Sequence, residues 1–105
     1  VVTSPQELVS MIVGKAVNMA ALMEVPILGI VENMSYVSCP DCGKHIPLFG
    51  DGKALDAAAA ELGLPVLARL PMDAQVAQLC DSGEIERVVC EELEPAADAV
   101  EALLQ

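Results

Sequence analysis

The stretch Val25-Pro-Ile-Leu-Gly-Ile-Val-Glu-Asn-Met-Ser35 decides the fold. Its residues 27–31 are a continuous apolar run, without the alternation of apolar and polar side chains that marks a half-exposed strand. Such a run is typical of a parallel β-strand that is buried on both faces of a sheet. Pro26 stops a preceding helix. The run ends at Glu32-Asn33, so the stretch predicts a buried strand with a polar carboxyl end.

A helix is predicted before this strand. Ser4-Pro5-Gln6-Glu7 is a capping box, and it predicts a helix over residues 5–23. Val1-Val2 lies before the box and is predicted to end another strand, which gives a strand–helix–strand unit. Apolar side chains recur in the helix at three- and four-residue spacing, and they predict its packing face. These are Leu8, Met11, Ile12, Met19, Leu22 and Met23.

Helices and one more strand follow an irregular loop predicted over residues 32–53. We expect a helix over residues 53–62 that Gly63 ends, a strand over 64–70, and a helix over 74–80 that Asp73 caps. Pro95 is predicted to start a last helix, which packs through Ala96, Val100, Leu103 and Leu104. This order predicts an α/β fold, with a partial parallel sheet and flanking helices.

Composition limits the partners. The 105 residues suffice for a single domain, and 54% of them are hydrophobic. A net charge of −11 argues against nucleic acid and against anionic membrane surfaces, since both attract basic proteins. We therefore expect no nucleic-acid partner and no membrane association. Four cysteines without a secretory signal indicate a reducing compartment, and we expect a cytoplasmic protein.

The segment Cys39-Pro-Asp-Cys42-Gly43 has the spacing that directs two thiolates at one metal ion. Two thiolates are half of the usual four-ligand set for zinc or an iron–sulfur cluster. His45 could supply a third ligand, and a second copy of the loop across a two-fold axis would supply two more thiolates. A redox pair and inert thiols are the other interpretations. We expect His45 to be a solvated loop residue.

Two cysteines lie outside this loop. Cys80 and Cys90 do not have the spacing of a metal-binding loop. They are expected to be small buried apolar residues.

Polar or turn-forming residues follow each predicted strand, at Thr3-Ser4, Glu32-Asn33 and Pro71-Met-Asp73. The carboxyl ends of parallel strands meet at one edge of a sheet, where α/β proteins bind ligands. We therefore expect a ligand site at this edge.

Several segments taken together resemble one known family. They are Val-Thr-Ser-Pro-Gln6, the opening stretch and Cys-Pro-Asp-Cys-Gly43, followed in the same order by motifs up to Asp-Ser-Gly83. The chain resembles the C-terminal half of Mrp-type (ApbC-like) P-loop ATPases of the MinD/ParA group. These proteins carry iron–sulfur clusters to apo-proteins.

The resemblance implies roles for particular residues. Cys39 and Cys42 match the cysteines that hold a [4Fe–4S] cluster between the two subunits of a homodimer. Asn33 matches the asparagine that reads the adenine of ATP, and Pro71, Met72 and Asp73 match the turn that borders the base. A second possibility for Asn33 is a hydrogen bond to its own backbone. Because Asn33 and Cys39 are six residues apart, we expect nucleotide binding to affect the cluster loop.

The chain departs from the family at the phosphate-binding loop. No G-K-G-G-x-G-K-[ST] motif occurs in it, and Gly50-Asp-Gly-Lys53 has the wrong spacing. We therefore expect one domain, residues 1–105, that lacks the N-terminal half with its ATP and Mg²⁺ ligands and does not hydrolyse ATP alone. The alternative function is a regulatory ATPase of the MinD/ParA kind with structural zinc at the cysteine loop.

Overall fold

The computed structural model describes residues 1–6, 9–50 and 52–104. Its strands are β1 (Val2–Thr3), β2 (Ile30–Glu32), β3 (Val37–Ser38), β4 (His45–Ile46) and β5 (Val66–Arg69). Its α-helices are α1 (Val9–Leu22), α2 (Lys53–Leu62), α3 (Ala74–Asp81) and α4 (Glu94–Glu101). Short 3-10 turns cover Ile85–Arg87, Glu91–Leu93 and Ala102–Leu104.

Three parallel strands form the main sheet, in the order β1-β2-β5. The central strand is β2, which the sequence predicted as a buried parallel strand, and the helices flank the sheet. Its ladder extends past the strand ends, because Asn33 N–H donates to the Thr3 carbonyl at 2.6 Å and Leu70 N–H donates to the Glu32 carbonyl at 2.7 Å. The prediction of an α/β fold with a parallel sheet and flanking helices is confirmed.

The central strand is regular over Ile30–Glu32, whereas the sequence predicted residues 27–31. The pairing with β5 is irregular between Ile30 and Val31. Gly29 lies against the segment that leads into β5, and an ideal Cβ on it would be 2.7 Å from the Pro65 carbonyl oxygen. Regular pairing therefore begins only after this close approach.

The core lies between the sheet and helices α1 and α2. It contains Ile30 of β2, which is fully buried, with Val13 of α1 and Leu55 and Ala59 of α2. Val17, Leu62, Leu64 and Val66 pack against this cluster. The alanines of α2 leave room for β-branched side chains, so the core is built from small and branched residues.

The predicted packing face of α1 is wrong. Its described large side chains are between 63% and 87% exposed: Met11, Ile12, Met19, Leu22 and Met23. Apolar residues occur on nearly all sides of α1, so periodicity alone does not identify the face that contacts the sheet. The structure uses Val13 and Val17 instead. Two residues of these predictions lie outside the described residues: Leu8 of the packing face and Glu7 of the capping box.

The predicted packing face of the last helix is only partly correct, because it includes residues that are exposed. In α4, Ala96 is buried, but Val100 and, just beyond the helix, Leu103 are exposed. The side chain of Leu104 lies outside the described part. The helix packs near β5, and only its first turn brings a small side chain into the core.

The helix ends follow local sequence signals. Gly63 has φ +70° at the end of α2, and its N–H donates to α2 carbonyls. Asp73 caps α3 by accepting a hydrogen bond from Gln75 N–H at 2.9 Å. No helix in the described ranges has the length and apolar composition needed to cross a membrane.

The loop over residues 32–53 is not irregular throughout. Strands β3 and β4 pair in an antiparallel hairpin that carries the two cysteines of the loop at its tip. Gly43 has φ +73° in this turn, which favours glycine. Two-residue strands give no apolar periodicity, so the sequence pattern does not reveal them.

We predict that Gly29→Ala destabilises the fold. The added methyl group would lie 2.7 Å from the Pro65 carbonyl oxygen and 2.8 Å from Leu67 Cγ, so β2 and β5 would have to separate. We expect a loss of about 1–3 kcal/mol in the free energy of unfolding, measured in urea. Gly14→Ala is the control, because its methyl group meets nothing within 4 Å and should stabilise α1 by up to about 1 kcal/mol. Equal stability of the Gly29 variant and the parent would contradict the close approach.

Candidate functional site

An ion-pair network fixes the polar edge of the sheet. The Glu32 residue is only 2% exposed, and its Oε2 accepts from Arg69 Nη1 at 2.7 Å. The other arm of Arg69 pairs with Asp56, in the first turn of α2. The hydrogen bond to Asp56, together with the charge of Glu32, raises the pKa of Arg69 against the opposing effect of burial. The network thus joins β2, β5 and α2 through charged groups.

The sequence patterns did not predict this role of Glu32. A lone carboxylate ends one apolar strand, and a lone Arg69 occurs near the end of the next, which is the signal that could have found the pair. Gly52 lies against both groups, and an ideal Cβ on it would be 3.1 Å from Arg69 Nη1. With φ +81°, this glycine lets the start of α2 approach the ion pair closely.

A cavity of about 470 Å³ lies beyond the carboxyl ends of β2 and β5. All four residues predicted to surround a base line it: Asn33, Pro71, Met72 and Asp73. Its other lining residues are Met34, Leu70, Val76, Ala77, Val88, Cys90 and Leu93. The cavity is therefore mainly apolar, with a few polar groups at one side.

Some polar side-chain atoms of the cavity residues already accept hydrogen bonds from backbone N–H groups. Asn33 Oδ1 accepts from Met34 N–H at 2.9 Å, so the Asn33 amide NH₂ is the part of this side chain that can donate to a ligand. Met34 has φ +54°, a conformation that costs a non-glycine residue about 1–3 kcal/mol. Asp73 caps α3 through Oδ1. The N–H of Met72 is also used, because it donates to the Tyr36 carbonyl at 2.8 Å.

One wall of the cavity comes from the acidic C-terminal segment, which the sequence analysis did not connect with a site. Val88, Cys90 and Leu93 supply it. Cys90 is half-buried, and its Sγ donates to Glu92 Oε2 at 3.5 Å. Burial and this carboxylate raise the pKa of the Cys90 thiol. Cys80 is exposed on α3, so the prediction that it is buried is wrong.

The cysteine hairpin brings two free thiols together. Cys39 N–H donates to the Lys44 carbonyl, and Gly43 N–H donates to the Cys39 carbonyl, each at 2.8 Å. The backbone N–H groups of Cys42 and Asp41, and then the Cys42 thiol, act as donors toward the Cys39 thiolate and lower the pKa of Cys39. Such N–H···S contacts suit a thiolate that binds a metal.

His45 does not lie with these thiols. It pairs directly with Ser38 across the hairpin. Its ring stacks on that of Tyr36, with centroids 3.9 Å apart and planes at 15°. His45 is exposed, as expected, although it lies in a strand. The described residues contain no group of three His, Cys, Asp or Glu side chains that could hold a metal.

Comparisons with known proteins agree with this architecture. The ParA family model, described as NUBPL iron-transfer P-loop NTPase, matches residues 1–105. An iron–sulfur cluster carrier protein of Pyrococcus horikoshii is 44% identical over 99 residues, which cover 94% of this chain and 32% of that protein. The cytosolic Fe–S cluster assembly factor Nubp1 homolog of Drosophila melanogaster is 44% identical over 85 residues, which cover 79% and 27%.

A solved structure is also similar. It is a nucleotide-binding protein from Archaeoglobus fulgidus in complex with ADP, with a TM-score of 0.74 and 38% identity. The match covers 87% of this chain and 37% of that one. The chain thus spans less than a third of the length of the two curated relatives above.

We predict that Arg69→Met destabilises the protein by about 3 kcal/mol, because it leaves the Glu32 carboxylate buried without a partner. The value is at the lower end for buried pairs, since the Arg69 side chain is 40% exposed. Urea unfolding measures it, and Glu32→Gln in the same protein should recover much of the loss. Arg87→Met is the control. It breaks an exposed pair with Glu84 and should cost less than about 1 kcal/mol. Equal costs for the two arginines would contradict the network.

The two half-buried cysteines should differ in reactivity. The pKa of Cys39 is lowered by N–H donors, while that of Cys90 is raised by burial, so Cys39 forms the reactive thiolate at lower pH. We expect the alkylation rate of Cys39 in metal-free protein to rise at lower pH than that of Cys90. Iodoacetamide labelling followed by mass spectrometry, from pH 6 to about pH 10, measures both curves in one sample. Coincident curves would contradict the hydrogen bonding at Cys39.

Proposed function

The chain belongs to the NUBPL iron-transfer P-loop NTPase family, and from this premise we propose that it forms the base-binding and cluster-binding part of an ATP-dependent iron–sulfur cluster carrier. One observation carries the proposal. Asn33 and Met34, which line the cavity, and the hairpin that contains Cys39 and Cys42 belong to one continuous segment, residues 33–46. The exposed hairpin suits the transfer of a cluster to apo-proteins, and free thiols suit a cytosolic location, as in the name of the Drosophila relative.

The cluster is the cargo of this function, and we propose that two chains share it. A [4Fe–4S] cluster is usually held by four thiolates. One hairpin supplies Cys39 and Cys42, and the described residues of one chain offer no third ligand beside them. A homodimer with a two-fold axis through the hairpin tips would supply the other two thiolates. Residues 40–50 are exposed, which leaves room for a second hairpin.

The nucleotide base fits the cavity in size and chemistry. Ligand cavities of about 300–1,000 Å³ with apolar walls and few polar groups are typical of small-molecule sites. In this proposal the base occupies the cavity, and the Asn33 amide NH₂ is the side-chain group available to donate to it. The similar Archaeoglobus protein is described in complex with ADP. The phosphate and Mg²⁺ ligands of the family have no counterpart among these 105 residues.

We predict that anaerobically prepared protein contains about four iron and four sulfide per dimer and absorbs in the visible range. The double variant Cys39→Ser/Cys42→Ser should lose both, because it removes the proposed ligands. Cys80→Ser is the matched control, since this thiol is exposed on α3 and outside the hairpin, and it should retain the cluster. Stoichiometric zinc without visible absorption would overturn the carrier function in favour of a regulatory ATPase with structural zinc.

Asn33→Asp tests the base site. Aspartate keeps an oxygen for the Met34 N–H, so the backbone turn is preserved, but it lacks the NH₂ group that donates to the base. We expect ADP to bind about tenfold more weakly, as measured by calorimetry on the protein at its full natural length. Gln75→Glu is the control, because this exposed side chain adds the same charge outside the cavity. Unchanged affinity of the Asn33 variant would exclude the amide from base recognition.

A further inference from the structure

We propose that Tyr36 is a positioning residue through which occupancy of the cavity changes the geometry of the cysteine hairpin. The inference rests on the proposed function, and it names the residue that couples the two sites. Tyr36 lies between Asn33 of the cavity and Cys39 of the hairpin. Each part of this residue, backbone and ring, contacts a different structural unit.

The backbone of Tyr36 is tied to the floor of the cavity. Its carbonyl accepts from Met72 N–H at 2.8 Å, and the preceding Ser35 N–H donates to the Leu70 carbonyl at 2.9 Å. Both Leu70 and Met72 line the cavity. If a ligand displaces residues 70–72, the Tyr36 backbone moves with them, because two hydrogen bonds join these residues to residues 35–36.

The ring of Tyr36 is tied to the hairpin. It stacks on His45, and His45 pairs with Ser38, the residue directly before Cys39. This hairpin has only two residues in each strand. So short a ladder is marginally stable by itself, and the stack adds a contact between β4 and the residue directly before β3. The angle of the ring thus helps to set the orientation of the hairpin.

The third connection is electrostatic. Burial, and then the charges of Glu92 and Cys90, raise the pKa of the Tyr36 hydroxyl. Cys90 belongs to that wall. Tyr36 is thus joined to residues 70–72 through its backbone and to the hairpin through its ring, and it interacts electrostatically with the C-terminal segment. A ligand that moves the cavity walls apart or together therefore changes the position of Tyr36, on whose ring His45 stacks.

Cysteine labelling tests this without a cluster, because the chain has a thiol at each relevant place. Cys90 reports occupancy of the cavity, Cys39 reports the hairpin, and the exposed Cys80 is the internal control. The experiment measures the alkylation rates of all three in metal-free protein of full natural length, with and without ADP. We expect ADP to slow labelling of Cys90, to change the Cys39 rate about fivefold or more, and to leave Cys80 unaffected.

Two variants then separate coupling from binding. Tyr36→Ala should retain ADP protection of Cys90 but lose the response of Cys39, whereas Tyr36→Phe keeps the ring and should retain the response. If Tyr36→Ala disturbs the cavity itself, His45→Ala removes the same stack from the hairpin side and should also abolish the Cys39 response.

The outcomes distinguish the two proposals. A protected Cys90 with an unresponsive Cys39 in the parent protein overturns the coupling and leaves the base site intact. A Cys39 response that persists in His45→Ala also overturns it. An unprotected Cys90 in the parent protein removes the base site, and the coupling with it.

Discussion

The buried carboxylate of Glu32 is the constraint on which the edge of the sheet depends. A charge in this position is costly unless it is paired, and Arg69 supplies the partner from the adjacent strand. Since Arg69 also binds Asp56, the first turn of α2 is placed at the same point. The net contribution of such pairs to stability is often small, but their geometry is specific. Their role here is to fix where two strands end, and both the cavity and the hairpin start from those ends.

Features governed by local chemistry could be predicted from the sequence. The stop of α2 at Gly63 and the cap of α3 at Asp73 depend on one backbone angle and one side-chain hydrogen bond. The central strand could be recognised because a short apolar run that follows a proline and ends in polar residues is typical of a buried parallel strand. The placement of Asn33 and of residues 71–73 at one edge could be predicted because parallel strands place their carboxyl ends there, and because these segments resemble a known family.

Features that depend on contacts between distant segments could not be predicted. Helix α1 is apolar on opposite sides, so only the shape of its neighbours decides that Val13 and Val17 face the sheet. The C-terminal wall of the cavity has no periodic pattern, and Cys90 reaches it through the path of the chain after α3. The Glu32–Arg69 pair requires the register of β2 against β5, which local sequence patterns do not determine.

The exposed apolar side of α1 has a consequence for how the molecule behaves in solution. At neutral pH the net charge of −11 makes copies repel one another, although α1 itself carries no acidic residue. Near the isoelectric point of about 4.1 this repulsion vanishes, while the methionine-rich surface is unchanged. High salt has a similar effect, since it screens the charge and strengthens apolar association. Colloidal stability is therefore set by the acidic surface, and acidic or high-salt purification steps favour precipitation through α1.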